Sequence, residues 1–178
     1  GVVIGGTIGG AVGILAAFYR TLDPWIMRTV DVLFAFPSVL LAIAISGVLG
    51  AGIVNSIVSL TIVFTPQIAR VAESVTTGVR NMDFINAARA TGAGPLTIIR
   101  VHVLGNVLGP IFVYATGLIS VSMILAAGLS FLGLGVKPPE PEWGLMLNTL
   151  RTAIYSNPWV AALPGAMIFT VSICFNLL

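Results

Sequence analysis

Five stretches of this chain, near residues 1–19, 31–50, 53–72, 106–131 and 158–178, carry no charge in their interiors. Each is close to the ~20 residues that an α-helix needs to cross the ~30 Å hydrocarbon core of a bilayer. Backbone polar groups inside lipid must be satisfied within the segment, and helices do this from sequence alone. Only 8% of the residues are charged and 57% are hydrophobic, whereas an ordinary soluble domain is about 25% charged. Such a chain has too little polar surface to face water, so its solvent is lipid. The expected fold class is an all-α integral membrane protein.

The same composition excludes several functions. A net charge of +2 with no basic run offers no footprint for nucleic acid. The single cysteine, Cys174, forms neither an intrachain disulfide nor a cysteine metal site, and reads as a small buried hydrophobe. His102 is the only histidine, and no carboxylate stands at metal-ligand or triad spacing around it. There is no Walker-type phosphate loop. The chain is therefore expected to be no enzyme and to need no cofactor or metal. It opens on Gly1 within an apolar run that lacks a basic n-region, and it stops at "SICFNLL". Both ends read as cuts through membrane segments, so 1–178 is expected to be one transmembrane domain of a longer protein.

The spans differ in character. In the first, Gly5, Gly9 and Gly13 recur four apart, a spacing that lets helix backbones approach closely in lipid. The second contains Pro37, which is expected to bend it. The third is the most polar, with Asn55, Ser56, Ser59, Thr61, Thr65 and Gln67 available to join helices or to line a path. Charge sets the orientation. Alternating spans place Arg20, Arg28, Arg70, Arg80, Arg89 and Arg100 on one side, and only Lys137 and Arg151 on the other. The basic side is expected to be cytoplasmic. Residues 132–157 then form an external loop: a proline-rich connector, "GLGVKPPEPEWG", followed by Trp143, Leu147, Leu150 and Ile154 at helical spacing. That stripe predicts a short surface helix near 143–155, lying on the membrane or capping the bundle.

One cytoplasmic stretch, "FINAARATGAGPLTIIRVHVLGN", interrupts the apolar text with arginines, a histidine and two asparagines. Asp83 reads as an N-cap, with helix from Phe84 to about Thr91, a stop at Gly92 and a second helix opening at Gly94-Pro95. Phe84, Ile85 and Ala88 share one face; Asn86 and Arg89 lie around the side. So short a helix is unstable alone in water. Its apolar face needs cover, from its own bundle or from another protein.

At these residues the chain resembles the permeases of ABC importers, whose cytoplasmic loop carries the motif E-A-A-x3-G-x9-I-x-L-P. Ala87, Ala88 and Gly92 match, and Leu104 falls at the leucine; Asn86 stands for the glutamate, His102 for the isoleucine and Gly105 for the proline. The histidine resembles the dipeptide/oligopeptide/nickel branch, with loops like "AARA-GA-----I-RH-LPN". "GLSFLGLGVKPPEPEWGLML", residues 128–147, resembles that branch's outer-loop signature, and "VDVLFAFPSVLLAIAI" and "NPWVAALPGAMIFTVSICFNLL" resemble its flanking spans. The likeness runs in order along essentially the whole chain.

The resemblance implies a type I ABC importer transmembrane domain with six spans, five of them visible here and one N-terminal span absent. It implies a permease subunit in the cell (inner or plasma) membrane, forming half of a path for di- or oligopeptides, nickel complexes or related small solutes. Its partners would be a second homologous permease, two cytoplasmic ATP-binding subunits and an external substrate-binding protein. Residues 81–105 would form a coupling elbow, with Phe84, Ile85, Asn86, Ala87, Ala88, Arg89 and Gly92 at the ATPase contact. Small Ala87, Ala88 and Gly92 admit a close partner, Phe84 and Ile85 would anchor it, and Arg89 would meet an acidic rim. Two other classes compete. A secondary transporter fragment would carry ionisable residues and broken helices at mid-depth; a non-transporting membrane scaffold would use the elbow only as a loop.

Overall fold

The computed structural model describes residues 1–19, 21 and 23–177. Arg20, counted above among the cytoplasmic arginines, and Leu178, at the end of the fifth expected span, lie outside the described residues. Every element is helical: α1 (Val2–Phe18), α2 (Asp23–Phe34), α3 (Ser38–Leu49), α4 (Ile53–Arg80), α5 (Asp83–Ala90), a single turn α6 (Pro95–Thr97), a π-helical segment (Ile98–Val103), α7 (Leu104–Phe131), α8 (Trp143–Thr149), a 3-10 turn (Arg151–Tyr155) and α9 (Pro158–Asn176). The chain divides into two compact units, and α4 and α7 each contribute residues to both.

One unit comprises Val3–Ala35 and Thr65–Ala115. Here α1 lies against α4 through glycines. A Cβ built on Gly9 would stand 2.5 Å from the Thr65 carbonyl oxygen, and one on Gly13 would stand 2.7 Å from the Ala72 Cβ. Lipid supplies no hydrophobic force between helices, so contact at this range gains its stability from dispersion and shape. Ala16, Met27, Val30 and Ala69 form the buried cluster beside it, with Val12 and Ile26 packed on the edge. Two arginines of α4 complete the unit. Arg80 donates to the Ala17 carbonyl in the last turn of α1, where helix carbonyls lack intrahelical donors. Arg70 pairs with Asp31 of α2, both side chains being about half exposed, so the pair contributes about 0–1 kcal/mol.

The other unit comprises Gly1–Val2, Phe36–Phe64 and Thr116–Leu178. The polar residues of the third expected span act here as joints. The Ser46 hydroxyl of α3 donates to the Ser59 hydroxyl of α4 at 2.9 Å, and Ser59 donates to the Asn55 carbonyl at 2.8 Å. The Asn55 amide reaches the Leu49 and Gly50 carbonyls, closing the end of α3. Between α7 and α9 the Ser120 hydroxyl donates to the Ser172 carbonyl at 2.7 Å, in a buried contact. Gly144 of α8 sits against the Ala127 backbone of α7, and the Asn148 amide donates to the Phe131 carbonyl. These bonds hold α8 on the end of α7.

The spans depart from expectation in countable ways. By length and composition, three helical stretches among the described residues can cross a membrane: Ile53–Arg80, Pro95–Phe131 and Pro158–Asn176. The expected span 31–50 is not one bent helix. Helix stops at Phe34 and resumes at Ser38, because Pro37 disfavours helical geometry at Phe36 and donates no hydrogen bond. The α2–α3 pair counts as a fourth crossing only if taken together. At 17 residues, α1 is shorter than these three stretches. Conversely α4 runs 28 residues, not stopping near 72, which makes it about 42 Å long and longer than the hydrocarbon core.

Cys174 also departs from expectation: it is exposed. It lies on α9, whose outward side carries Trp159, Leu163 and Phe169 with more than half their surface open. In a membrane such a face meets lipid or another helix, so apolar character no longer implies burial within the chain.

Candidate docking elbow

The elbow begins where α4 ends. Met82, in extended backbone geometry, takes the N-cap position; Asp83 follows it as the first helical residue. The cap is therefore one residue earlier than the sequence indicates, and Asn86 becomes the fourth helical residue, not the third. No side-chain cap hydrogen bond forms at this end. Asp83 still lies in the first turn, where its carboxylate complements the helix dipole.

The other end is closed by glycine. The Gly92 amide donates to the Arg89 carbonyl at 3.0 Å and the Ala93 amide to the Ala88 carbonyl at 3.1 Å. This is the Schellman pattern, and it requires the left-handed geometry that Gly92 adopts at φ +84°. Nothing lies within 4 Å of the position a Gly92 Cβ would take. The turn after α5 thus presents open backbone.

Each residue of the expected contact can be placed. Ile85 is fully buried and Ala88 nearly so, both facing the interior of their own unit. Phe84 is 40% exposed, and Asn86, Ala87, Arg89 and Gly92 are exposed. The helix therefore stands on Ile85 and Ala88 and presents the remainder outward. Of the two apolar side chains expected as anchors, only Phe84 reaches the surface. Met82, Leu96 and Val101 are also exposed in this region, Leu96 at 76%. They extend the apolar surface beyond the motif, and their exposure follows only from the way the turns fold.

Beyond Gly94 the chain re-enters helix at Pro95, as its fixed φ favours. It then opens into the π segment, in which Ile98 and Val103 are buried. The Leu104 amide donates to the Ile99 carbonyl five residues back. The His102 ring lies 6.4 Å from the Phe84 ring, tilted by 48°, within the range of aromatic pairs. The Asn106 amide donates to the His102 carbonyl at 2.6 Å. Neither the π segment nor the ring contact has a signature in residue spacing. Among the described residues no group of three or more metal-ligating side chains occurs. The region combines a small-residue helix, an open glycine turn and a cationic flank.

Residues 9–178 match the family described as "Binding-protein-dependent transport system inner membrane component". Among curated proteins, the chain is similar to glutathione transport system permease proteins named GsiD. The one from Salmonella typhimurium is 47% identical, over 99% of this chain and 64% of its own length. That from Escherichia coli is 46% identical, over 99% and 59%; that from Pectobacterium atrosepticum is 43% identical over the same shares. The chain spans about three fifths of the length of these curated relatives.

Proposed function

The chain belongs to the family of inner-membrane components of binding-protein-dependent transport systems, and from that membership we propose that it is the permease subunit of an ABC importer. It would form half of a translocation path for glutathione, a di- or oligopeptide, or a solute of similar size. The similarity to glutathione permeases supports the substrate class. A second homologous permease would supply the other half, two cytoplasmic ATP-binding subunits the energy, and an external binding protein the solute.

One observation carries this reading. A short helix outside the long apolar spans is anchored from behind by Ile85 and Ala88 while Phe84, Asn86, Ala87, Arg89 and Gly92 face outward. A helix of eight residues has no stability of its own, so its outward face is retained for something that lands on it. We assign that role to the ATP-binding subunit. Ala87 and the open turn at Gly92 admit its surface closely, Phe84 fills a depression, and Arg89 pairs with acid at the rim.

The arginine bias supports a cytoplasmic elbow 81–105 and an external segment 132–157. ATP binding would draw the two ATPases together and carry the two elbows with them. The permease pair then rocks between inward- and outward-facing states, and hydrolysis in the partner subunits resets it. Chemistry thus stays in the partners.

The test is reconstitution of the full-length permease with its partner permease, ATPases and binding protein in proteoliposomes, with radiolabelled glutathione as probe. Uptake that needs both ATP and binding protein is expected. Uptake driven by an ion gradient without ATP would instead make it a secondary transporter, and no solute movement under any condition would leave a scaffold.

A further inference from the structure

We infer that the π segment Ile98–Val103, tied to α5 by the Phe84–His102 ring contact, is a positioning joint that passes displacement of α5 into α7. The inference rests on the docking role proposed above and adds the residues through which docking is felt.

A π turn closes i→i+5 hydrogen bonds and so contains one residue more than an α turn; it is rare and occurs frequently at functional sites. Here it stands between two regular helices, α5 and α7, separated from the first only by the Gly92–Gly94 turn and α6. It is the one break in α-helical hydrogen bonding between α6 and α7. It is also held at defined points. Ile98 and Val103 are buried at 2% and 0% exposure and tie it to the interior, while Val101 at 63% faces outward.

His102 makes a contact on each side of it. Phe84 of α5 and His102 of the π segment meet ring to ring at 6.4 Å. The His102 carbonyl accepts from the Asn106 side chain in the first turn of α7. His102 consequently touches α5 with its ring and α7 with its backbone. Phe84 is partly exposed on the same helix that carries the proposed docking face. A push on α5 reaches His102 through this ring contact, and the π turn converts that push into movement of α7's first turn. His102 acts through its neighbours and touches no solute; it is a positioning residue.

The test uses the assembled importer in proteoliposomes and three variants of the full-length permease: His102→Ala, His102→Phe and a deletion of Val101. Removing one residue from a π turn restores an α turn while keeping the flanking helix faces in register. Three quantities are measured: ATPase retention on purification, ATP hydrolysis stimulated by binding protein, and glutathione taken up per ATP hydrolysed. With His102→Ala and with the deletion, the ATPase should stay bound while uptake per ATP falls by about threefold to tenfold, the range for loss of an aromatic pair. His102→Phe, which keeps the ring, should restore it. The deletion tests the joint without altering the ring pair's residues, so misfolding of one variant leaves the other decisive. Unchanged uptake per ATP in both His102→Ala and the deletion overturns the joint and leaves docking intact. Failure of His102→Phe to restore overturns the ring contact as its basis. An ATPase that never binds the unaltered permease overturns docking and joint together.

Discussion

Gly13 of α1 lies against Ala72 of α4 so closely that a Cβ on the glycine would stand 2.7 Å from the alanine Cβ and 2.8 Å from the Glu73 amide nitrogen. Gly10, three residues earlier on the same helix, has nothing within 4 Å of its Cβ position. The pair offers a test with opposite signs. Gly10→Ala should stabilise by about 0.5–1 kcal/mol, since glycine is the poorer helix former. Gly13→Ala has the same propensity gain yet should destabilise by about 1–3 kcal/mol through overpacking. Thermal unfolding in detergent reads both. Equal shifts of the same sign would mean that α1 and α4 do not touch there.

The arginine bias predicts that Asn86 and Glu140 lie on opposite sides of the membrane. Both are exposed, and Glu140 makes a better probe than Glu142, whose carboxylate accepts from the Leu145 amide. In a Cys174→Ser background, needed because Cys174 is exposed, Glu140→Cys should react with an impermeant maleimide on intact cells. Asn86→Cys should react only in inverted vesicles. Labelling of both from one side would defeat the proposed orientation.

The segment 132–157 should show two grades of protection. α8 is capped by Glu142 and fastened to α7 by Gly144 and Asn148, whereas Arg151–Tyr155 form a 3-10 turn with no buried residue. Hydrogen exchange should be slow at Leu145–Thr149 and faster beyond Arg151. Glu142→Ala removes the cap, costs about 1 kcal/mol, and should accelerate exchange of α8 by about fivefold. Uniformly fast exchange across 143–155 would mean that α8 is not formed in the membrane.

What the sequence makes legible follows periodicity and glycine; what it hides depends on neighbours. The spacing of Gly9 and Gly13 announces a close helix contact, and Gly92 announces the end of α5, because both are local backbone demands. Pro37 signals a disturbance but not its degree: whether a proline bends a helix or breaks it depends on what else satisfies the freed groups. The stripe Trp143, Leu147, Leu150 and Ile154 shows helical spacing, yet regular helix ends at Thr149, a 3-10 turn follows and Ile154 is exposed. Ile85 and Phe84 are indistinguishable as apolar neighbours on a helical wheel, and only packing turns Ile85 inward. The π segment is hidden for the same reason, its extra residue being visible only against the helices it joins.

Gly92 separates a structural demand from a docking one. Its φ of +84° disfavours any side chain on backbone grounds, by about 1–2 kcal/mol, while the space around its Cβ position is open within the chain itself. Gly92→Ala therefore carries the backbone strain and little bulk. Asparagine tolerates left-handed geometry, so Gly92→Asn carries less strain and more bulk. Gly92→Arg carries the strain, the most bulk and a charge. If the turn serves only to end α5, arginine and alanine should be equally harmful and asparagine the mildest. If a partner surface packs there, Gly92→Arg should lose at least tenfold more ATPase retention and uptake than Gly92→Ala, beyond the ~1.4 kcal/mol that tenfold represents. Membrane insertion should persist in all three, because Gly92 falls between the long apolar stretches Ile53–Arg80 and Pro95–Phe131. Co-purification of the ATPase and glutathione uptake, measured side by side on the assembled complex, give the comparison. Arginine no worse than alanine would remove the partner from this turn.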